Sequence, residues 1–358
     1  MLRRRPFSPL FFGAFVALGA LGACSSDNGS NGDDAPGTPD AAVATDGGGT
    51  APDAFVPPAD SYSLTWGPVT VAPGDEKTQC ITLDLANLPA VHINKIHNVL
   101  TGGSHHLIVY RTDEDVKPMA PCNPFAGTLS SDGTTPLMIT QRHDEELTLP
   151  TGVAFSLKAH QHIRLEMHYI NTTDGTLDVK GTSTFVPMAE ADFQQEADFL
   201  FIGNPAISIP AGTSKSLMPV LFTPPAQFAD VNFFALTGHT HQYGTNVHIA
   251  TSTSDSDPGT PVYEHDNWLW SEPDTDYFDP PFKLPAGGGF RFSCDYTNTS
   301  TQSVGFGESA HDEMCFFWAY YYPSKGAQVC VRAGNLSGCC PDNALVCSLM
   351  QQFLGSPM

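Results

Sequence analysis

Along several short stretches of this chain, apolar and polar positions alternate or β-branched and aromatic residues crowd together. The clearest are His105–Arg111, His162–Asn171, Val231–His241, Thr245–Thr251, Phe290–Tyr296 and Cys315–Tyr322. Successive side chains of a strand point to opposite faces, so each run predicts a strand with one or both faces buried. Turn signals separate them: Thr101-Gly102-Gly103, Asp174-Gly175 and Pro285-Ala286-Gly287-Gly288-Gly289. A short helical period occurs only over Ala344–Leu354. Many short strands with Gly and Pro turns predict an all-β protein of sandwiches or barrels.

The polar stretch Ala189–Ala197 is the best place for a domain boundary. It divides the folded part, about 300 residues and twice a typical domain, into 61–188 and 189–330, with a Cys-rich tail over 331–358. No internal repeat is visible. Composition agrees with this reading: Gly (32) and Pro (30) are plentiful while charged residues make up 15%. Sixteen Lys and Arg against 38 Asp and Glu leave a formal charge of −22. That balance excludes a nucleic-acid partner, because binding phosphates requires a basic face. Nine cysteines suit an exported protein.

The first residues point the same way. Arg3, Arg4 and Arg5 precede an apolar run, Leu10 to Ala20, too short to span a bilayer. It ends at Leu21-Gly22-Ala23-Cys24, which resembles a bacterial lipobox. Residues 1–23 are then a signal peptide and Cys24 carries the lipid; the alternative is ordinary secretory cleavage with Cys24 a free thiol. From Ser25 to Asp60 the chain is almost all Gly, Ser, Asn, Asp, Ala, Pro and Thr, with no Lys or Arg. Such a segment buries too little apolar surface to order itself and reads as an acidic tether. The expected location is the bacterial cell envelope, outside the cytoplasm, at the outer membrane or cell surface. The only membrane contact expected is the lipid anchor.

Candidate chemistry lies in the histidines. His239-Thr240-His241 places two rings at i and i+2, on one side of a strand, as a possible half-site for a metal. Adjacent His105 and His106 would point to opposite faces of a regular strand. They reach one ion only if the strand is bulged, which Gly102-Gly103 just upstream permits. His168 sits in Arg164-Leu165-Glu166-Met167-His168-Tyr169. Glu166 is placed either to orient a ligand imidazole or to pair with Arg164.

Taken together, five segments resemble the copper type II, ascorbate-dependent monooxygenase family. They are His105-His106-Leu107-Ile108-Val109-Tyr110, Arg164 through Tyr169, His239-Thr240-His241, Ser293-Cys294-Asp295-Tyr296, and Gly305-Phe306-Gly307 through Glu313-Met314-Cys315 to Tyr321-Tyr322-Pro323. They fall in the family's order at similar intervals, cover about residues 62 to 330, and lean toward the dopamine β-monooxygenase branch. The resemblance implies two tandem antiparallel β-sandwich, jelly-roll-like domains, each with one copper. It matches His105, His106 and His168 to the first copper, and His239, His241 and Met314 to the second. A thioether is soft and favours Cu(I), and zinc sites use Cys, His and carboxylates instead. The implied partners are a small organic substrate, dioxygen, and ascorbate or another small reductant. Electrons would enter at the three-histidine set and pass across a cleft to the Met-bearing set, where a substrate C–H bond is hydroxylated.

The resemblance also implies disulfides Cys80–Cys122 and Cys294–Cys315. Cys330, Cys339, Cys340 and Cys347 allow three pairings, all open at this point. Thr237, Phe316 and Trp318 occupy the positions where the peptide-processing branch holds a peptide carboxylate. None is cationic, which disfavours a glycine-extended peptide. These aromatic residues suit an apolar or aromatic substrate, or they belong to the core. A different class of function, a copper-binding or copper-storage lipoprotein without turnover, uses the same ligands but needs no second, distinct set. A metal-free sandwich adhesin would need neither.

The lipobox generates one prediction. Metabolic labelling with a clickable fatty acid should mark the wild type and leave Cys24→Ser unlabelled. Equal labelling of both would end the lipoprotein reading.

Overall fold

The computed structural model describes residues 55–125, 134–340 and 342–354. The expected signal peptide, Cys24 and most of the tether lie outside the described residues. The first strands are β1 (Tyr62–Val71), β2 (Glu76–Asp84), β3 (Val91–Leu100), β4 (Ser104–Thr112), β5 (Lys117–Pro121), β6 (Thr135–Thr140), β7 (Asp144–Thr148), β8 (Val153–Leu157), β9 (His162–Ile170), β10 (Leu177–Met188) and β11 (Gln195–Glu196). Next come β12 (Asp198–Gly203), β13 (Ser208–Ile209), β14 (Thr213–Ser216), β15 (Val220–Phe222), β16 (Asn232–His239), β17 (Gly244–Ser252) and β18 (Thr260–Tyr263). The chain continues with β19 (Thr275–Phe282), β20 (Gly289–Asn298), β21 (Val304–Gly305), β22 (Phe316–Tyr322), β23 (Gln328–Ala333) and β24 (Leu336–Cys340), and then α1 (Ala344–Leu354). All six strand runs expected from the sequence are present, and the helix has the expected bounds.

Four larger sheets result. The first two have the orders β1-β10-β3-β8-β11, with β7 also on β3, and β5-β2-β9-β4-β6. The other two run β19-β16-β22-β12-β23-β24 and β14-β20-β17-β18, with β15 also on β20. Pairing is antiparallel except at β8–β11 and β12–β23. Strands up to β11 build the first pair of sheets; those from β12 build the second, except β13 and β21, which pair only with each other.

The inner strands of the two middle sheets, β4, β9, β12, β16 and β22, are buried on both faces over most of their length. Along β22, Phe316, Trp318 and Tyr320 belong to the core shared with the first pair of sheets, while Phe317, Ala319 and Tyr321 belong to the core of the second pair. On β12, Phe199 and Phe201 face the first core, and Leu200 and Ile202 the second. A strand with water on neither side must be apolar throughout, which explains the unbroken Phe316-Phe317-Trp318-Ala319-Tyr320-Tyr321-Tyr322. Close approach leaves no room at the end of the ladder: a Cβ on Gly203 would sit 2.0 Å from the Phe316 ring paired with it. On β9, Leu165 and Met167 alternate with Glu166 and His168, all buried. Met167 lies over Gly181 of β10, inside the first sandwich, so His168 faces the other way, toward the second.

Among the described residues, four disulfides form: Cys80–Cys122, Cys294–Cys315, Cys330–Cys339 and Cys340–Cys347. The last two settle the open pairing: one bridges β23 to β24, the other ties β24 to α1. Val346 and Met350 of α1 join the shared core, so the tail is packed onto the fold.

Polar contacts also cross between the two halves. After β6, Arg142 pairs with Asp274, and His143 Nε2 lies 3.6 Å from Glu272. Thr275 Oγ1 donates to Glu145 Oε1 at 2.9 Å, and the Tyr277 hydroxyl to the Glu146 carbonyl at 2.6 Å. Burial pushes the Glu145 carboxyl up to about 7, against the lowering by Thr275 and Arg142. A carboxyl raised in the folded state weakens folding wherever it must ionise. The penalty is absent below pH 4.5, grows as pH rises from 4.5 to about 7, and is complete above. Glu145→Gln should therefore gain about 1–2 kcal/mol at pH 8 and nothing at pH 4. Urea denaturation at the two pH values measures it; an equal effect at both would refute the assignment.

Candidate metal centre

The first histidine set depends on a local break in the ladder. On β4, Ser104 pairs with Tyr169 and His106 with His168, so His105 is an extra residue on its strand, a bulge. Gly103, with φ of 86°, opens that turn. The bulge cancels the alternation that would send the two rings apart. His105 Nδ1 and His106 Nδ1 converge to 3.1 Å. The His168 ring lies 4.9 Å from that of His105 and 5.1 Å from that of His106. One nitrogen from each of the three lies within 4.8 Å of the others. Burial, reinforced by the neighbouring imidazoles, holds His105 and His106 well below the ordinary histidine range, so both are neutral at pH 7.

His168 is oriented by a residue the sequence did not single out. Its Nε2 meets Glu76 Oε1 at 2.9 Å. Glu76 also accepts from Ser309 Oγ at 3.2 Å and from the Ala310 amide at 3.1 Å, both in the second half. Burial pushes the Glu76 carboxyl up, but the bonds from His168, Ala310 and Ser309 outweigh it and bring it down to about 2. Glu166, the residue sequence reasoning offered for this role, does something else. It accepts from the Phe125 amide at 2.7 Å and the Tyr110 hydroxyl at 3.2 Å, and lies 3.5 Å from Arg164 Nη2. Of its two anticipated roles, the ion pair with Arg164 is the one present. Glu166 pairs across to Cys80 on β2, whereas Thr78 pairs to His168 and brings Glu76 alongside it. Only the register reveals that difference. Cys80 and Cys122 also lie near Glu166, but their sulfurs are bonded to each other and offer no thiolate.

In the second set, β16 ends at His239, and the rings of His239 and His241 lie 5.1 Å apart and nearly perpendicular. His239 Nδ1 meets Gln141 Oε1, from the first half, at 2.8 Å, which leaves Nε2 free. Burial holds His239 well below the ordinary range. Burial and the neighbouring His168 bring His241 down to about 4. Glu313 ties this set together. Its Oε2 accepts from the backbone amides of both His241, at 3.0 Å, and Met314, at 3.2 Å, and its Oε1 from Tyr243 at 2.7 Å. His239 pairs with Phe316, the first residue of β22, two positions after Met314. Met314 is buried, its carbonyl accepts from the Tyr296 hydroxyl at 2.7 Å, and the adjacent Cys315 is bonded to Cys294.

The two sets touch. The His105 and His241 rings are 5.7 Å apart, so no open cleft separates them as the sequence reading expected. A loop unnoticed in the sequence flanks both: the Trp270 ring lies 5.6 Å from that of His105, and Trp268 Nε1 donates to Thr240 Oγ1 at 3.0 Å. Thr237, Phe316 and Trp318, the positions considered for substrate, are buried. Thr237 bonds to Thr275, and Phe316 stacks on Phe201. That burial removes the ground for reading them as a substrate surface.

The donors suit a transition metal. The Nδ1 atoms of His105 and His106 face each other, and His239 Nε2 and His241 Nδ1 are buried without a protein partner. Leaving such atoms unpaired is costly. The 3.1 Å between the Nδ1 atoms of His105 and His106 is close to the roughly 3.3 Å between two ligands of one tetrahedral ion bound at about 2.0 Å. Neutral imidazoles with a buried thioether nearby fit copper better than the hard cations, which take oxygen ligands.

Comparison with known proteins bears on the second half. Residues 196–339 match the family profile described as copper type II ascorbate-dependent monooxygenase, C-terminal domain. No curated protein matches the chain. Among solved structures, the chain is similar to one described under "The Triple Jelly Roll Fold and Turret Assembly in an Archaeal Virus", at 10% identity over 75% of this chain and 61% of that one, with a TM-score of 0.22. It is also similar to one from Sulfolobus turreted icosahedral virus, at 9% identity over 72% and 59%, with a TM-score of 0.21. The chain spans about three fifths of the length of these viral chains. Residues 196–339, the part that carries His239, His241 and Met314, are thus similar to the C-terminal domain of the copper type II ascorbate-dependent monooxygenases.

Proposed function

We propose that the protein is a copper-dependent monooxygenase that hydroxylates a C–H bond of a small organic substrate, using dioxygen and ascorbate or a similar reductant. The observation that carries this reading is the contact between two unlike ligand sets, His105 against His241 at 5.7 Å, within a chain that matches the family profile. Storage requires capacity; it gives no reason to pack a three-histidine set against a set that includes a thioether.

His105, His106 and His168 would hold one copper, and His239, His241 and Met314 the other. Copper held there supplies one-electron redox chemistry and activation of dioxygen. The chain's own residues do the rest. Glu76 and Gln141 each occupy one ring nitrogen, of His168 and His239, and so fix which nitrogen stays available. Glu313 holds the backbones of His241 and Met314 in one frame. Burial keeps His105, His106, His239 and His241 neutral, the form in which imidazole is a ligand. The same burial limits water at the reacting centre. Lipid attachment at Cys24 would hold this enzyme at the envelope surface, with 61–188 and 189–330 as its two copper domains.

Metal analysis should find two coppers per chain in wild type and about one in either His105→Ala or His239→Ala. A single copper in wild type, or preference for zinc, would count against two sets.

Met314→Ile separates the sets more sharply. It roughly conserves apolar volume and should cost about 1 kcal/mol of stability. It also deletes the sulfur, so hydroxylation should fall at least about a hundredfold, or ~2.7 kcal/mol, while the three-histidine copper is still reduced. Product formation under saturating reductant, with copper followed by EPR, tests this. A folded Met314→Ile protein as active as wild type would remove Met314 from the ligand set.

A further inference from the structure

Every residue of the two sets lies out of reach of solvent. None of His105, His106, His168, His239, His241 and Met314 is more than 5% exposed. A molecule that reaches either set must therefore displace a side chain that covers it. Three of these covers are fixed. Phe125 lies 5.2 Å from the His106 ring and stacks on Phe201 in the shared core. Trp318, 6.1 Å from the His239 ring, is buried in the same core. Glu76, against His168, is held by that ring, by Ser309 and by the Ala310 amide.

Trp270 is different. Its ring lies 5.6 Å from that of His105, yet the residue is only half-buried. Among the described residues it makes no hydrogen bond, and it packs into neither hydrophobic core. It stands in residues 264–274, the loop between β18 and β19. The base of that loop is tied down. The Tyr263 hydroxyl donates to the Asp274 carbonyl at 2.7 Å, and Arg142 and His143 of the first half pair with Asp274 and Glu272. Nearer the tip, Trp268 packs against the second core, and its Nε1 donates to Thr240 Oγ1 at 3.0 Å. The tip turns over, with the Glu272 amide donating to the Leu269 carbonyl at 3.2 Å, and Leu269 is left exposed. An indole left half in water contributes less to folding than one sealed in a core. Moving Trp270 breaks no hydrogen bond of its own, and segments with few buried apolar contacts open most easily.

We propose that Trp270 gates the metal centre: its indole closes the approach to His105, and ligands enter when the 269–272 turn swings outward about the Trp268 anchor. Trp270 belongs to the second half and covers a histidine of the first. One movement therefore uncovers the place where the two sets touch, His105 against His241. Trp270 acts by access alone, holding water and ligands off the centre, and takes no part in electron or proton transfer. The gate itself does not depend on the metal; that what it admits is the substrate of a copper enzyme rests on the function proposed above.

Two measurements test it, one of them without metal. Diethylpyrocarbonate, which acylates neutral imidazole, reads access to His105 in the copper-free protein, with each histidine resolved by peptide mass spectrometry. His97 is the control for general loosening, since it is 3% exposed and lies on β3, outside both sets. In wild type, His105 should label faster than His97, because the gate opens without unfolding. Trp270→Ala should speed His105 labelling about tenfold, the factor given by about 1.4 kcal/mol of easier opening, and leave His97 unchanged. Trp270→Phe should fall between. Trp268→Phe, which loses the bond to Thr240 but keeps an aromatic ring, should also speed His105 labelling. In the copper-loaded protein, a chelator should remove copper faster from Trp270→Ala than from wild type. Wild-type labelling of His105 no faster than that of His97, unchanged His105 labelling in Trp270→Ala, or an equal rise at His97 would overturn the gate and leave the copper reading standing. Failure of wild type to hold copper would instead overturn the proposed function, with the gate still judged by the labelling.

Discussion

Burial of β22 and β12 on both faces is the constraint on which the rest of the molecule depends. The aromatic residues of their outward face are the floor on which the first sandwich sits. Each large aromatic side chain buries enough apolar surface to dominate its surroundings. Here that burial also fixes a distance. Because the two middle sheets pack directly, the loops after β16 and before β22 meet the bulged start of β4, and two sets of imidazoles are brought into ring contact. Proximity of the two sets is therefore a product of packing between sheets; the histidines only use it.

The polar groups around the sets follow the same logic. Glu76 and Gln141 each belong to the first half and reach across: Glu76 also takes two bonds from the Ser309–Ala310 segment, and Gln141 holds His239. Such bonds are stronger where water is excluded. His239 is thereby oriented directly by the opposite half of the protein, and His168 through Glu76, which the second half also holds.

Much of this was legible in the residues. Period-two runs gave the strands, and the Gly-Gly before His105-His106 left room for the bulge that the pairing of β4 with β9 then shows, with His105 as the extra residue. The helix at Ala344–Leu354 was likewise visible as a period. What the sequence could not carry was register between distant strands. Glu166 shares a strand with His168 and looked like its partner, but the pairing of β2 with β9 gives that place to Glu76, some ninety positions away in the chain. Trp270 stood in no pattern at all, and its position beside His105 comes from the loop before β19. Phe316 and Trp318 were ambiguous because a buried middle strand and an aromatic binding wall have the same composition.

The bond between Cys294 and Cys315 has a consequence for how the thioether is held. Cys315 is the residue after Met314, and its partner lies on β20, so the bridge pins the segment that presents the thioether. Under reducing conditions such a bridge stays open, and that segment is then held by hydrogen bonds alone, among them those of Glu313 and Tyr296 and that of the Asn204 amide to the Cys315 carbonyl. Until that pair is oxidised, the Met314 segment lacks its covalent tie to β20.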